Sequence, residues 1–250
     1  METGVMKTSP KRDSELFANV FRQFQAVLTS NSEPKVEPLF GLFDAAFRNS
    51  RGKRVDATPH LDVLEIFGLA KDELRHSRVL AWFLRHDAEH EQGSTFTQAL
   101  LRLAAGKQIP ELNGAALIED YVVEREKHKR TDVSVYQRKG FAIFIENKVG
   151  HLEREDQVSD MIRELVRFSD AERIPIPHRF AIFLTDEGRD PISGPSSDVP
   201  NFERRNLKSF RRVDVFDAFQ NALDSQPAAS PLLKSLLSCY LNAIRQLTTL

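Results

Sequence analysis

Three residues that could do chemistry together lie on two neighbouring segments that we predict to form a β-hairpin. The segment TDVSVYQ contains Asp132, and FAIFIENK contains Glu146 and Lys148. If the connecting loop has an odd number of residues, Asp132 lies directly opposite Glu146, and such paired residues point to the same face of a sheet. Lys148 shares that face because it is two residues beyond Glu146. The spacing therefore predicts two carboxylates and one ammonium at the end of a strand.

Two carboxylates this close repel each other, so a site near the interior of a sheet needs a cation between them. Oxygen ligands on rigid strands suit Mg²⁺ or Mn²⁺, which bind a couple of carboxylates and keep several waters. Such an ion acidifies a bound water and neutralises charge that develops on a phosphate. Lys148 would lie where an ammonium can orient or help deprotonate that water. The set indicates phosphodiester hydrolysis, whereas Glu-x-Lys by itself more often marks a surface ion pair.

The surrounding sequence predicts the elements that must position these groups. Patterns rich in β-branched and aromatic residues predict strands in IEDYVVEREKH, TDVSVYQ, FAIFIENK and RFAIFLTD. Helical spacing occurs before them, from Val63 to Ala105 with a break, and again between the third and fourth strands. A Pro/Gly/Ser-rich loop then leads to a short strand at Phe210–Val213 and to helices at Phe216–Leu223 and Leu232–Leu247. Apolar strands followed by helices predict a sheet sandwiched between helices.

The composition of the chain excludes several classes of protein. The 250 residues are 41% hydrophobic and 28% charged, which is typical of a globular protein and not of a disordered one. No apolar run approaches the roughly 20 residues of a membrane span, and the N-terminus lacks the apolar core of a signal peptide. The single cysteine, Cys239, excludes an internal disulfide, and we expect it to be buried in a helix. We therefore expect a cytoplasmic protein without a membrane partner.

The charge pattern leaves two interpretations open. A net charge of −1 argues against a broadly basic surface but permits a local basic groove. Basic residues cluster at Lys127–Arg130 and again at Arg204, Arg205, Lys208, Arg211 and Arg212. Each cluster is either an ordinary solvated face or a phosphate-binding surface. The second cluster is the candidate nucleic-acid contact.

Six segments of the chain resemble the PD-(D/E)XK nuclease superfamily, and in particular a family that begins with a helix like RHSRVLAWFL. They are DELRHSRVLAWFL, HEQGSTF, KRTDVSV, FAIFIENKVG, EDQVSD and FAIFLTDEGRDP, in matching order and spacing from residue 72 to about 215. The resemblance implies an α/β fold with a restriction-endonuclease-like αβββαβ core. It also implies a mixed central sheet flanked by helices, with extra helices at both ends of the chain.

The resemblance assigns roles to individual residues. Asp132 and Glu146 match the metal-binding acids, and Lys148 matches the catalytic lysine. Glu73 matches an acid on the first helix that often completes such sites, and Gln157 matches a glutamine beside the site. The expected ligands of Mg²⁺ or Mn²⁺ are Glu73, Asp132, Glu146 and Asn147. The expected catalytic set is Glu73, Asp132, Glu146, Lys148 and Gln157.

The sequence departs from the family pattern at two places. Relatives commonly carry a tyrosine four positions after the glutamine, where this chain has Met161. The departure affects the substrate-positioning role of the glutamine–tyrosine pair and leaves the metal site as the resemblance implies. The Asp-Pro that usually follows the first helix is replaced by Arg85-His86. His76 and Ser77 share a helix face with Glu73. His76 is either part of a buried polar cluster or a participant in the chemistry.

The resemblance implies a metal-dependent endo- or exonuclease, with DNA favoured over RNA, that acts in phage defence or DNA processing. The alternative is a catalytically silent module on the same fold that binds nucleic acid or a protein. A homodimer or a regulatory partner protein is compatible with either function. The expected organisation is a flexible tail over residues 1–12 and a single domain over 13–250. That domain would comprise a helical extension (13–60), the nuclease core (63–215) and C-terminal helices (216–250).

Overall fold

The strands form one mixed five-stranded sheet flanked by helices in the computed structural model. The structure describes residues 72–106, 120–126, 128, 131–149, 153, 154, 156–192 and 199–247. The elements in chain order are α1 (Glu73–Leu84), α2 (Thr95–Ala105), β1 (Val122–Arg125), β2 (Val133–Gln137), β3 (Phe141–Asn147), α3 (Gln157–Ala171), β4 (Arg179–Thr185), β5 (Leu207–Arg211), α4 (Arg212–Asp224) and α5 (Pro231–Leu247). The predicted tail and N-terminal helical extension lie outside the described residues.

The sheet has the strand order β1-β2-β3-β4-β5. The pairs β1–β2 and β2–β3 are antiparallel, whereas β3–β4 and β4–β5 are parallel. Every residue of β3 and of β4 is buried, as expected for central strands that are covered on both faces. This is the mixed α/β, restriction-endonuclease-like architecture that the sequence predicts.

One face of the sheet packs against α3. The apolar side of this helix meets alternate side chains of the two central strands, which share a face because side chains alternate along a strand. The buried cluster contains Ala142, Phe144, Ala181 and Phe183 of the sheet with Val158, Met161, Ile162 and Leu165 of α3. Glu146 follows Phe144 by two residues, so the same alternation points it toward the side of the sheet on which α3 begins.

The opposite face lies toward α1, which contacts β1, β2 and β3. Tyr121, near the ring of Phe141, donates its hydroxyl to the carbonyl of Leu84 at the end of α1. Behind α1 lies an aromatic cluster with ring-centroid separations of 5.0–6.1 Å, made by Phe83, Phe96, Phe216 and Phe219. This cluster joins α1, α2 and α4 into one layer.

Three expectations about the C-terminal third are wrong in detail. The last strand is Leu207–Arg211, and α4 starts at Arg212, four residues before the predicted helix start at Phe216. The strand is half-exposed at the edge of the sheet, and its polar side chains do not form the apolar pattern that marks a buried strand. Cys239 is exposed because the buried stripe of α5 runs through Leu237, Tyr240, Leu241 and Ile244.

None of the described helices is long and apolar enough to cross a membrane.

Candidate active site

The hairpin places Asp132 opposite Glu146, as its predicted parity requires. Gln137 pairs with Phe141, which leaves a three-residue turn, and Val133 pairs with Ile145. Asp132, the residue before Val133, donates its backbone N–H to the carbonyl of Ile145 at 3.1 Å. The two acids therefore meet where β2 begins and β3 ends.

A third acid reaches this point from α1. Glu73 is the first residue of that helix, whose start is fixed by Asp72 because its carboxylate accepts from the backbone N–H of Arg75 at 3.0 Å. Glu73, Asp132 and Glu146 each bring one carboxylate oxygen into a group whose members lie within 4.8 Å of one another. Such a concentration of oxygen ligands is what a hard divalent cation requires.

Lys148 places its ammonium among these acids. Its Nζ lies 2.8 Å from Oε1 of Glu146 and 2.9 Å from Oε1 of Glu73. Lys148 is 8% exposed, so its ammonium is largely shielded from bulk water, and its contact with the buried Glu146 is the more shielded of the two. Burial acts to lower the pKa of Lys148, but its hydrogen bonds to Glu146 and Glu73 outweigh burial and raise that pKa. The side chain is therefore a cation.

When ionised, the three acids carry more negative charge than the ammonium of Lys148 balances. Burial raises the pKa of Asp132, and the charge of Glu73 adds to this effect against a hydrogen bond from Asn147. Burial and the charge of Asp132 also raise the pKa of Glu146, against the opposing influence of Lys148. Oε2 of Glu73 is buried and has no hydrogen-bond partner among the described residues. The disfavoured ionisation of Asp132 and Glu146 and the unsatisfied Oε2 of Glu73 fit a divalent cation held by Glu73, Asp132 and Glu146.

Gln157 completes the surroundings of Glu146. Its side-chain Nε2 donates to Oε1 of Glu146 from the first residue of α3. Its own Oε1 accepts from the backbone N–H of Arg154 at 3.3 Å, which fixes the amide. Met161 is fully buried against the sheet in the cluster beneath α3. It therefore contributes packing between α3 and the sheet.

The side chain of Asn147 does not join the acids, although the sequence suggested it as a metal ligand. Consecutive strand residues point to opposite faces, so Asn147 lies on the other side of β3 from Glu146 and Lys148. Its Oδ1 accepts from Arg212, and its Nδ2 donates to Oγ of Ser77 at 3.0 Å. Both polar ends of this amide are therefore engaged within the protein.

His76 lies on α1 and contacts the last helix of the chain. Its Nδ1 lies 2.6 Å from the hydroxyl of Tyr240, which belongs to α5. Both residues are buried, and the contact faces the C-terminal helices rather than the acids. Of the two interpretations of His76, the structure supports the buried polar cluster.

The members of the predicted basic cluster at residues 204–212 differ in their exposure and in their distance from the acids. Arg212 is 1% exposed, and its guanidinium donates to the carbonyl of Lys148 at 2.9 Å and to Asp186. Its prediction as a phosphate contact is therefore wrong. Arg211 is exposed and is the last residue of β5. It pairs with Thr185, one position beyond the Asn147–Leu184 pair, so it lies at the same end of the strands as the acids.

The remaining members of the cluster lie away from that edge. Arg204 and Arg205 are exposed and precede β5 at its opposite end. Lys208 is half-buried and pairs with Ile182 in the middle of the sheet. Arg154 was not singled out by the sequence, but it is exposed and its backbone holds the amide of Gln157. The residues around Arg154 are polar and form no pattern that could have indicated that it lies near the site.

The comparison with protein families agrees with this geometry. The sequence model of the PD-(D/E)XK nuclease superfamily matches residues 61–200, which is more than half of the chain. The protein therefore belongs to the PD-(D/E)XK nuclease superfamily. No curated protein and no solved structure gives a match.

Proposed function

We propose that the protein is a nuclease that hydrolyses phosphodiester bonds of DNA with the help of Mg²⁺ or Mn²⁺. The observation that carries this proposal is the group of Glu73, Asp132 and Glu146 around the ammonium of Lys148. Acids that are held close together in buried or partly buried positions repel each other and weaken a fold, so their grouping at the end of β3 supports a function rather than a structural need. Membership of a nuclease superfamily supports the same reaction class.

The side chains would divide the work as follows. Glu73, Asp132 and Glu146 would hold the ion through their carboxylate oxygens. When bound, a divalent cation supplies a Lewis acid that polarises the phosphate and acidifies a water. Lys148 would orient the attacking water and stabilise the negative charge that develops on the phosphate oxygens. Gln157 would keep the carboxylate of Glu146 in place, because its amide already donates to that group.

Cleavage of a substrate panel tests the proposal directly. The panel contains linear and circular duplex DNA, single-stranded DNA and RNA, each incubated with Mg²⁺, Mn²⁺ or a chelator. We expect the wild type to cleave DNA with metal, the chelator to stop cleavage, and Glu146→Ala to lose about 100-fold or more of the rate. Asp224→Ala, which removes an exposed acid on α4, is the matched control and should cleave like the wild type.

The same panel separates the proposal from the silent binding module. A silent module would retain nucleic acid in a gel-shift assay and cleave none of the substrates. Cleavage of RNA alone would keep the reaction class and overturn the assignment of DNA as substrate. Circular DNA that is opened identifies an endonuclease.

Fold analogy extends the proposal to phage defence or DNA processing. A defence role predicts fewer phage plaques on cells that express the wild type than on cells that express Glu146→Ala. Equal plaque numbers would leave DNA processing as the proposed setting.

A further inference from the structure

A buried network behind the acids holds the residue between Glu146 and Lys148. Oδ1 of Asn147 accepts from Nε of Arg212 at 3.3 Å and from Nη2 at 3.0 Å, and both residues are 1% exposed. We propose that Asn147 and Arg212 are positioning residues. They set the relative placement of the four charged side chains of the site, which are Glu73, Asp132, Glu146 and Lys148. This inference rests on the proposed nuclease function.

Asn147 is directly linked to each of these four side chains or to the element that bears it. It is bonded covalently to Glu146 and to Lys148, and its backbone N–H donates to Oδ2 of Asp132 at 2.7 Å. Its side chain holds Ser77, whose hydroxyl donates to the carbonyl of Glu73 one turn earlier on α1. A shift of Asn147 would therefore move all four groups relative to one another.

Arg212 is the group that fixes Asn147. The guanidinium also donates to the backbone carbonyl of Lys148 at 2.9 Å, so two successive residues of the chain are held from behind. Its charge is balanced by Asp186, which follows β4. The planar fork of arginine serves these three acceptors at once, whereas the single ammonium of a lysine lacks that geometry.

The turn that carries Asp186 is itself held against the start of α4. The backbone N–H of Gly188 donates to Oγ1 of Thr185 at 2.8 Å. Gly188 has a φ of +71°, and a Cβ at this position would lie 2.6 Å from Cγ of Arg211. Only glycine permits this approach, which keeps Asp186 beside Arg212. Arg212 lies beyond residue 200, where the family match ends, so a segment outside the match supports the site.

Arg179 provides a matched control for the experiment. It is also a buried arginine, and it donates to the carbonyls of Ile174 and Asn201 and pairs with Asp170 at 2.7 Å. It begins β4, at the opposite end of the sheet from the acids. The two arginines therefore have similar structural roles but differ in their distance from the site.

The experiment compares Arg212→Lys, Arg212→Met and Arg179→Lys in the full-length chain. The measurements are urea unfolding, Mn²⁺ affinity by calorimetry, DNA affinity, and the single-turnover rate on the DNA that the wild type cleaves. We expect both lysine variants to lose stability. Only the Arg212 variants should lose about 10–100-fold in turnover or Mn²⁺ affinity, the usual effect of removing support behind a metal ligand. DNA affinity should not change.

The outcomes separate this inference from the proposed function. If the folded Arg212→Lys protein matches Arg179→Lys in turnover and Mn²⁺ affinity, Arg212 has only a structural role and the inference is wrong. If the wild type neither binds Mn²⁺ nor cleaves DNA, the proposed function itself fails. If Arg212→Met does not fold, the milder Arg212→Lys decides, and Asn147→Ala should reproduce its loss of turnover.

Discussion

Lys148 and Glu73 are 75 positions apart in the chain and meet at 2.9 Å at the end of β3. The same ammonium lies 2.8 Å from Glu146, which is almost fully buried. The pair therefore joins the first helix of the core to its central strand at the site itself. Lys148 thus contributes to the fold as well as to the proposed chemistry, and the two contributions need separate measurements.

Replacing Lys148 by alanine should remove most of the turnover. If the ammonium acts chiefly in the transition state, the single-turnover rate with saturating enzyme and Mg²⁺ should fall by about 10²–10⁴-fold. The affinity for DNA should remain close to that of the wild type. The variant should also lose about 3–5 kcal/mol of unfolding free energy without metal, because the buried carboxyl of Glu146 and the partly exposed carboxyl of Glu73 lose their cation.

Lys234→Ala is the control for this experiment. Lys234 is half-buried and lies 3.7 Å from the exposed carboxylate of Asp224, so its loss should cost about 0–1 kcal/mol and leave the rate unchanged. A Lys148→Ala protein that is folded by circular dichroism and cleaves as fast as the wild type would show that this lysine has no part in the chemistry.

Metal binding should depend on the charge of Asp132. Asp132→Asn keeps an acceptor for the backbone N–H of Asn147 but removes one of the mutually repelling charges. In calorimetry this variant should bind Mg²⁺ and Mn²⁺ far more weakly than the wild type. Mg²⁺ at about 100 times its dissociation constant should stabilise the wild type by about 2.7 kcal/mol and the variant by much less.

The same variant should show the opposite effect when metal is absent. Burial and the charge of Glu73 raise the pKa of Asp132, which means that the folded protein disfavours its ionised form. Asp132→Asn should therefore be more stable than the wild type in a chelator at neutral pH, as measured by urea unfolding. Asp224→Asn should leave metal affinity unchanged and change stability by at most about 1 kcal/mol, because its carboxylate makes only an exposed pair with Lys234. Equal metal affinity in Asp132→Asn and wild type would remove Asp132 from the ligand set.

His90 should make the fold less stable in acid. Burial lowers the pKa of His90, whose Nδ1 accepts from the backbone N–H of Gln92 at 3.0 Å. The unfolded chain therefore binds this proton more tightly than the folded protein does. The contribution of neutral His90 to the free energy of unfolding is complete above the pKa of about 6.5 that the residue has in the unfolded chain, and it is lost as the pH falls below that value.

Urea unfolding of wild type and His90→Gln between pH 8 and pH 5 measures this contribution. The variant should be less stable at pH 8, because it loses the contacts of the ring. Its stability should fall less steeply than that of the wild type below pH 6.5, by at most about 1.4 kcal/mol per pH unit. Parallel curves would show that His90 does not sense pH.

The sequence predicted the groups on the hairpin well and their supporting contacts poorly. Asp132 could be placed opposite Glu146 because antiparallel pairing and the parity of a short turn determine the register. The partners of Asn147 and Arg212 could not be placed, because they are 65 positions apart and their contact depends on how α4 packs behind β3. A pattern of charges shows that Arg212 is basic but not that it is buried. The edge strand β5 begins at Leu207, three residues before the predicted start at Phe210, because its half-exposed polar residues lack the apolar pattern of a buried strand.

The surface that binds nucleic acid is expected at the edge of the sheet where β3, β4 and β5 end. Arg211 lies at this edge, and Arg154 is adjacent to Gln157 on the neighbouring loop. Arg204 and Arg205 precede β5, which alone spans roughly 13 Å, so they lie well away from the acids. The two pairs of arginines are exposed alike and differ chiefly in their position relative to the site.

The dependence of DNA affinity on salt should distinguish the two pairs. Each phosphate contact contributes a slope of about −0.9 to a plot of log affinity against log salt for duplex DNA. Arg154→Ala with Arg211→Ala should therefore flatten the slope by about 1.8, because two phosphate contacts are lost. Arg204→Ala with Arg205→Ala, which removes the same charge from the far end of β5, should leave the slope unchanged. If the Arg204/Arg205 double variant flattens the slope and the Arg154/Arg211 double variant does not, the DNA crosses the opposite end of the sheet, and the expected surface at the ends of β3, β4 and β5 is wrong.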